Sequence, residues 1–216
     1  MRHTIRLVAA GAVLAVGAVA SSAGASTANR PERVPVGWHA QSGNVPFSPV
    51  SENATAKLVR RADGISFSLH TDQLRPGDAY TVWIVTINNP SACLASPCSG
   101  PDIMLNPATR SQVTYGAGRV ARKSGEANFR GILAAGPVPE GWFSNQGLDD
   151  PLGAEVHLVV NDHGPVLAGY IPEMIQTYRA GCTDASIPAF FPAAAFADGT
   201  PGPNTCRLWQ VAVFGN

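Results

Sequence analysis

The sequence predicts an all-β fold: a two-sheet antiparallel β-sandwich, immunoglobulin-like or related in topology, with one short helix near the C-terminus. Several short runs alternate apolar and polar residues with the period of a β-strand. Gly, Pro, Asn or Asp separate these runs, and helix signals are sparse. About seven strands of this kind are typical of a sandwich. A closed barrel is the alternative.

The N-terminus has the organisation of a secretory signal peptide. Basic Arg2 and Arg6 precede an apolar run from Leu7 to Ala20, and small residues follow, which suits cleavage after Ala25. The run is shorter than the roughly 20 apolar residues that cross a bilayer. We therefore expect a secreted, extracellular protein with no membrane span once the signal is removed.

Three regions follow from this organisation. Residues 1–25 are the predicted signal peptide, residues 26–50 an extended N-terminal arm or linker, and residues 51–216 a single disulfide-stapled domain. The arm is rich in Pro, Ser, Gly and Asn and lacks periodicity. The remainder is long enough to bury one sizeable core.

The charge balance is close to neutral. The full chain has 15 basic and 15 acidic residues. The predicted signal holds two of the arginines and no acid, so the mature chain is slightly acidic. A nucleic-acid binder normally shows a basic excess, and an anionic membrane attracts a basic patch. We therefore expect neither partner, and favour an extracellular polymer or protein ligand.

The strands begin with a hairpin. In Ile65–Thr71 apolar residues share one face and polar residues the other, and an Asp-Gly turn joins this run to Ala56–Arg61. Pro76 and Gly77 then suit a type II turn. The next strand, Ala79–Asn88, is apolar on both faces and should be central. Further strands are expected at Gln112–Tyr115, Gly118–Arg122, Ala127–Ala134, Ala154–Asn161 and Arg207–Phe214.

The predicted helix and core complete the fold. Pro172–Tyr178 has Pro in a first-turn position and Gly181 just beyond it, as expected for about two helical turns. Alternation along the strands gives the predicted buried layer. It consists of Phe67, Leu69, Val82, Ile84, Phe129, Val156, Leu158, Val160, Trp209, Val211 and Val213.

Four cysteines remain in an exported chain, which predicts disulfides. Three pairings are possible. We favour Cys93–Cys98, which closes a small loop, and Cys182–Cys206, which flank a Pro- and Gly-rich stretch. A zinc site is the alternative, but its cysteines normally come in closer pairs such as Cys-x2-Cys.

The segment Ala154–Pro165 offers a candidate metal site. If Val156, Leu158 and Val160 face the core, then Glu155, His157 and His163 lie on the opposite face. With His70 or Asp72, if their strand is adjacent, they could bind zinc or copper. His157 and Glu155 alone could instead carry acid–base chemistry. The competing interpretation is an ordinary polar, solvent-facing strand.

A second candidate site lies in the loop around residues 144–151. Asn145, Asp149 and Asp150 supply oxygens for a calcium site, although Asn and Asp beside Gly and Pro are first of all turn formers. Trp142 is the tryptophan most suited to an exposed sugar-binding position. The spacing does not match an EF-hand.

Other catalytic motifs are incomplete. The stretch Gly116–Ala121 fits the glycine pattern of dinucleotide-binding folds, but no helix follows it, so a bulge or turn is the better explanation. The sequence has no G-x-S-x-G, H-E-x-x-H or S-x-x-K motif. Only the predicted compartment supports an extracellular hydrolase.

Two segments carry a family resemblance. They are Leu74-Arg-Pro-Gly-Asp-Ala-Tyr-Thr-Val-Trp-Ile-Val-Thr-Ile-Asn-Asn-Pro-Ser-Ala-Cys93 and Ala154-Glu-Val-His-Leu-Val-Val-Asn-Asp-His-Gly-Pro165. From about Asn53 to its C-terminus the chain resembles a group of uncharacterised, secreted bacterial β-sandwich proteins from high-GC genomes. The resemblance implies the fold and the compartment but no activity.

These observations leave three hypotheses of function. The preferred one is a non-enzymatic binding module for a wall polymer, a surface protein or a small ligand, because no complete catalytic signature is present. The second is a zinc- or copper-binding or metal-dependent protein that uses the histidines and Glu155. The third is the extracellular hydrolase.

Overall fold

The computed structural model describes residues 31–187, 196 and 198–215; the predicted signal peptide lies outside them. In chain order the strands are β1 (Pro31–Pro35), β2 (Gly37–Trp38), β3 (Thr55–Arg61), β4 (Gly64–Thr71), β5 (Asp78–Ile87), β6 (Ser111–Val120), β7 (Ala127–Ala134), β8 (Gly136–Pro137), β9 (Gly147–Leu148), β10 (Glu155–Pro165) and β11 (Arg207–Phe214). The helices are α1 (Gly100–Leu105) and α2 (Ile171–Met174), with 3-10 turns at Ala40–Ser42, Pro90–Ala92 and Pro107–Thr109.

Two antiparallel sheets pack face to face, which confirms the predicted sandwich. One has four strands in the order β1-β3-β4-β7, and the other has five in the order β2-β11-β10-β5-β6. β8 and β9 form a separate small ribbon. Part of the predicted N-terminal arm is integrated into both sheets, since β1 pairs with β3 and β2 pairs with β11.

The core lies between the sheets and contains most of the residues predicted for it. Its most deeply buried members include Leu58, Ile65, Leu69, Tyr80, Val82, Ile84, Phe129, Val156, Leu158, Val160 and Phe214. Val211 and Val213 were predicted there but lie on the outer side of the five-stranded sheet. The reason is a register shift opposite Val160, where β11 carries Trp209 as an extra residue and the alternation changes phase.

The glycine stretch is a bulge within a strand. The sequence predicted two strands around it, but β6 runs continuously, and Gly116 is the extra residue between the pairs Val82–Ala117 and Trp83–Tyr115. A Cβ on Gly118 would lie 1.8 Å from the carbonyl oxygen of Ile175. These glycines therefore serve close packing of the backbone.

The helices differ from the prediction in two respects. α2 ends at Met174, short of the predicted Tyr178, whose ring packs instead against Trp83. α1 was missed, although Ser99 and Asp102 form a capping box at its start. That Ser-x-x-Asp pattern was the available sequence signal.

Both disulfides have the favoured pairing. Cys93–Cys98 closes a loop after β5, and Cys182–Cys206 ties the segment after α2 to the residues that lead into β11. Their sequence separations are 5 and 24 residues. The longer closure should restrict the unfolded chain more strongly.

Replacing each cysteine pair by alanine tests this difference. Loss of Cys182–Cys206 should lower the free energy of unfolding by about 3.5 kcal/mol, and loss of Cys93–Cys98 by about 2 kcal/mol, as chain entropy predicts. Urea denaturation of the two double variants measures both values. An equal or reversed order would show that loop closure does not set the contribution of these bonds.

Candidate functional site

The outer side of the five-stranded sheet is covered by a layer of loops. Trp83, Val85, Val159 and Val211 form its apolar floor. Above them pack side chains from the segments between β5 and β6, between β8 and β9, and after β10; these include Cys98, Ile103, Trp142, Phe143, Tyr178, Cys182, Ile187 and Cys206. The polar side of β10 therefore faces protein, whereas the sequence predicted an open strand.

Glu155 and His157 form one buried pair in this layer. The Glu155 carboxylate lies 2.7 Å from His157 Nε2 and accepts the Cys98 N–H at 2.8 Å, and both residues are 6% exposed. Burial opposes ionisation of Glu155, but these two hydrogen bonds outweigh it and lower the pKa of the carboxyl group. The pair thus attaches the Cys93–Cys98 loop to the sheet.

His163 is fully buried and held at both ring nitrogens. Nδ1 donates to the Ala180 carbonyl at 2.8 Å, and Nε2 accepts from Thr81 Oγ1 at 2.7 Å and from the Asn161 amide at 3.2 Å. Burial lowers its pKa to about 4, against the opposing effect of the Ala180 bond, so the imidazole is neutral at pH 7. His163 therefore joins β5, β10 and the segment after α2.

The structure does not assemble the predicted metal site. His70 lies on β4 in the other sheet, where Nδ1 contacts Asn128 Oδ1, so the core separates it from β10. Among residues 31–187, 196 and 198–215, one group of three or more His, Cys, Asp or Glu has ligand atoms within 4.8 Å of one another: His163, Cys182 and Cys206. Both cysteines are in the disulfide and offer no thiolate.

Three of the four predicted calcium- and sugar-binding residues contact other groups of the protein. Trp142 packs edge-on against Trp83 and Tyr178, with ring centroids 5.0 and 5.5 Å away. Asp149 forms an ion pair with Arg110, and Asp150 Oδ1 accepts the Gly153 N–H at 3.0 Å. Asn145 is exposed and adopts a positive φ of 60°. The acids therefore act as loop-forming groups here.

Two buried carboxyl groups at one end of the core escaped sequence analysis. Asp162 and Asp78 are 2% and 6% exposed, and burial raises the pKa of both. Asp162 raises the pKa of Asp78 further, while Arg75 and Arg207 oppose both shifts. Both guanidinium groups lie over the Trp209 ring, at 5.3 and 4.5 Å from its centroid.

The outward side of the four-stranded sheet contrasts with the covered sheet, and we call it the open face. Its positions alternate with buried ones along each strand. They are Pro31, Arg33 and Pro35 on β1; Thr55, Lys57, Val59 and Arg61 on β3; Ser66, Ser68 and His70 on β4; and Asn128, Arg130, Ile132 and Ala134 on β7. Within the described residues, their side chains bond only to each other or to Asp63 in the adjoining turn.

Residues 88–109, which we call the tip, present a different surface. Leu94 and Leu105 are 95% and 80% exposed. The single charged residue of the tip, Asp102, is buried, and hydrogen bonds from Leu94 N–H and Ser99 lower its pKa to about 2. The tip therefore has two exposed leucines and no exposed charged side chain within residues 88–109.

Comparison with known proteins gives no family: no family model matches the chain, and no curated protein or solved structure shows significant similarity to it. In the described part of the chain, no helix has the length and hydropathy needed to cross a membrane.

Replacing Glu155 by Gln tests the role of the buried pair. Because its pKa is lower when folded, the ionised carboxylate stabilises the fold above its ordinary pKa, and this contribution is lost as pH falls through the folded pKa. The variant should lose about 1–2 kcal/mol at pH 7, with a smaller deficit at pH 3. Urea titrations across this range measure it, with exposed Glu52→Gln as control. A deficit independent of pH would contradict the assignment.

Asp162→Asn should stabilise the fold at pH 7, whereas Glu155→Gln should destabilise it. A carboxyl group with a raised pKa favours the fold only while protonated, so its contribution falls as pH rises from the ordinary value of 3.8 through the folded pKa. Asn keeps the oxygen that accepts the Gly164 N–H at 2.8 Å. We expect a higher Tm than wild type at pH 7 and equal Tm values near pH 3, by calorimetry. A lower Tm at pH 7 would mean that attraction to Arg75 and Arg207 dominates.

Proposed function

We propose that this protein is a non-enzymatic extracellular binding module that holds a polymer of the cell exterior against its open face. The observation that carries the proposal is the asymmetry between the sheets. Loops and both disulfides cover the outer side of the five-stranded sheet, whereas the four-stranded sheet leaves a largely polar surface uncovered. An uncovered sheet face presents side chains from several neighbouring strands, so an extended ligand that lies across the strands can contact all of them.

The side chains of the open face support a polymer with hydroxyl groups. Ser66, Ser68, Thr55 and Asn128 are outward-facing and offer donors and acceptors on three neighbouring strands. These four side chains are exposed or half-buried, so packing in the core does not explain why these positions are polar. Hydrogen bonding to a hydrated chain is a use that fits their position.

The roles of the other candidate groups also favour binding over catalysis. His163 has both ring nitrogens engaged by the protein, and Glu155 binds His157 and the Cys93–Cys98 loop at once. These bonds already account for the polar groups that a metal or acid–base mechanism would need. The two disulfides indicate an oxidising environment, which supports the proposed secretion.

A second candidate function is the binding of a partner protein at the tip. Leu94 and Leu105 are almost fully exposed on a segment held by a disulfide and a helix cap. Exposed apolar side chains on an ordered segment without exposed charges are typical of protein interfaces. The tip packs on the covered sheet, so the two surfaces belong to opposite layers.

A blocking substitution on the open face tests the main proposal. Ser68 lies outward near the middle of β4, so Ser68→Trp should leave the fold intact and obstruct the surface. Co-sedimentation with purified peptidoglycan that retains its attached polysaccharides should show binding by wild type and at least a tenfold weaker binding by Ser68→Trp.

The matched control is Ser124→Trp, the same exchange in the exposed turn before β7, which should bind like wild type. Circular dichroism and Tm establish that both variants fold. Equal binding by the folded variants would place the ligand elsewhere, and absence of wild-type sedimentation would reject a wall polymer as ligand.

A further inference from the structure

We propose, building on the function proposed above, that the ligand of the open face is an acidic polysaccharide, held by a row of cations formed by Arg33, Lys57 and Arg130. The register of three strand pairings creates this row. Arg33 on β1 lies opposite Lys57 on β3, Lys57 opposite Ser68 on β4, and Ser68 opposite Arg130 on β7. The four residues thus form one line perpendicular to the strands.

The line has the dimensions of an extended binding track. Neighbouring strands are about 4.8 Å apart, so three steps from β1 to β7 span about 14 Å of backbone. The residues at the two ends of the row, Arg33 and Arg130, have long, flexible side chains that can follow a ligand beyond this span. A linear polymer that lies along this row would contact a cation on three of the four strands of the sheet.

The three cations have no acidic partner. Within residues 31–187, 196 and 198–215, none of them forms an ion pair; the ion pairs of the four-stranded sheet are Arg60 with Glu32 and Arg61 with Asp63. Glu32 points inward toward the buried Arg60, and no Asp or Glu occupies an outward position of the four strands. The row is therefore available to an external anion.

The arrangement is unfavourable for the isolated protein. Like charges directly opposite each other on paired strands are destabilising, and Arg33 faces Lys57 in this way. The mature chain has no excess of basic residues, so its composition alone does not explain such a cluster. Electrostatic complementarity to an anionic ligand would repay the repulsion.

The residues around the row favour a polysaccharide over a lipid surface. Arg33 and Arg130 present planar guanidinium groups, which bind carboxylates with two parallel hydrogen bonds. Ser66, Ser68 and Thr55 beside them suit sugar hydroxyls. A membrane-binding face would add several large, exposed apolar side chains for insertion. On the open face as defined above, Ile132, at 74% exposed, is the one such side chain.

The test neutralises the row and compares it with a matched set elsewhere. The triple variant Arg33→Gln, Lys57→Gln, Arg130→Gln removes three charges from the open face. The control Arg119→Gln, Arg122→Gln, Lys123→Gln removes the same charge from exposed positions at the end of β6 and in the turn that follows. Calorimetric titration with polygalacturonate at low ionic strength gives the dissociation constants, with uncharged dextran as the neutral probe.

We expect wild type and the control to bind polygalacturonate and the open-face variant to bind roughly 10- to 100-fold more weakly, since this variant lacks three cations that attract an anionic chain. The slope of log K against log salt concentration should fall in magnitude by about 2 to 3 in that variant. Wild type, the control and the open-face variant should all bind dextran much more weakly than wild type binds polygalacturonate.

Three outcomes would overturn the inference. If both triple variants lose affinity equally, the effect is net charge and the row has no special role. If wall binding is lost in Ser68→Trp but retained in the open-face triple variant, the open face binds a neutral polymer, so the proposed function stands and the acidic ligand is rejected. If phosphatidylglycerol vesicles bind through the row and polygalacturonate does not, the partner is a membrane.

Discussion

The architecture depends on the burial of β10 on both of its faces. Val156, Leu158 and Val160 face the core, while Glu155, His157 and His163 on the other side are no more than 6% exposed. A polar group removed from water costs free energy unless it finds a partner. The covering loops supply these partners through the Cys98 N–H and the Ala180 carbonyl.

This requirement explains where the disulfides lie. The covering layer has little regular structure of its own, so few backbone hydrogen bonds would hold it in register over β10. Cys93–Cys98 lies beside the N–H that meets Glu155, and Cys182 lies two residues after the carbonyl that meets His163. The disulfides thus hold the loops at the positions where they hydrogen-bond the polar side chains of β10. The four-stranded sheet remains the exposed side of the sandwich.

The sequence was most informative where alternation and turn chemistry act locally. It predicted the main strands, the sandwich and the disulfide pairing, because hydrophobic period and loop closure are short-range signals. It misplaced Val211 and Val213, since one bulge at Trp209 reverses the phase of the alternation. The sequence also predicted a solvent-facing outer side of β10, because the residues of a strand do not indicate whether a distant loop covers it.

The open face could not have been predicted in the same way. Arg33, Lys57 and Arg130 are far apart in the chain, and each looks unremarkable among its neighbours. Only the register of β1 with β3, β3 with β4 and β4 with β7 aligns them. The buried acids Asp78 and Asp162 were missed for a related reason: whether a carboxyl group at a strand end is solvated depends on what closes that end of the core.

The pairing of β2 with β11 brings the two ends of the described chain together, with Trp38 opposite Gln210. Pairing between strands from opposite ends of the chain raises the contact order, which slows folding. The same adjacency of ends makes the domain a natural candidate for circular permutation, with new termini in the turn between β6 and β7.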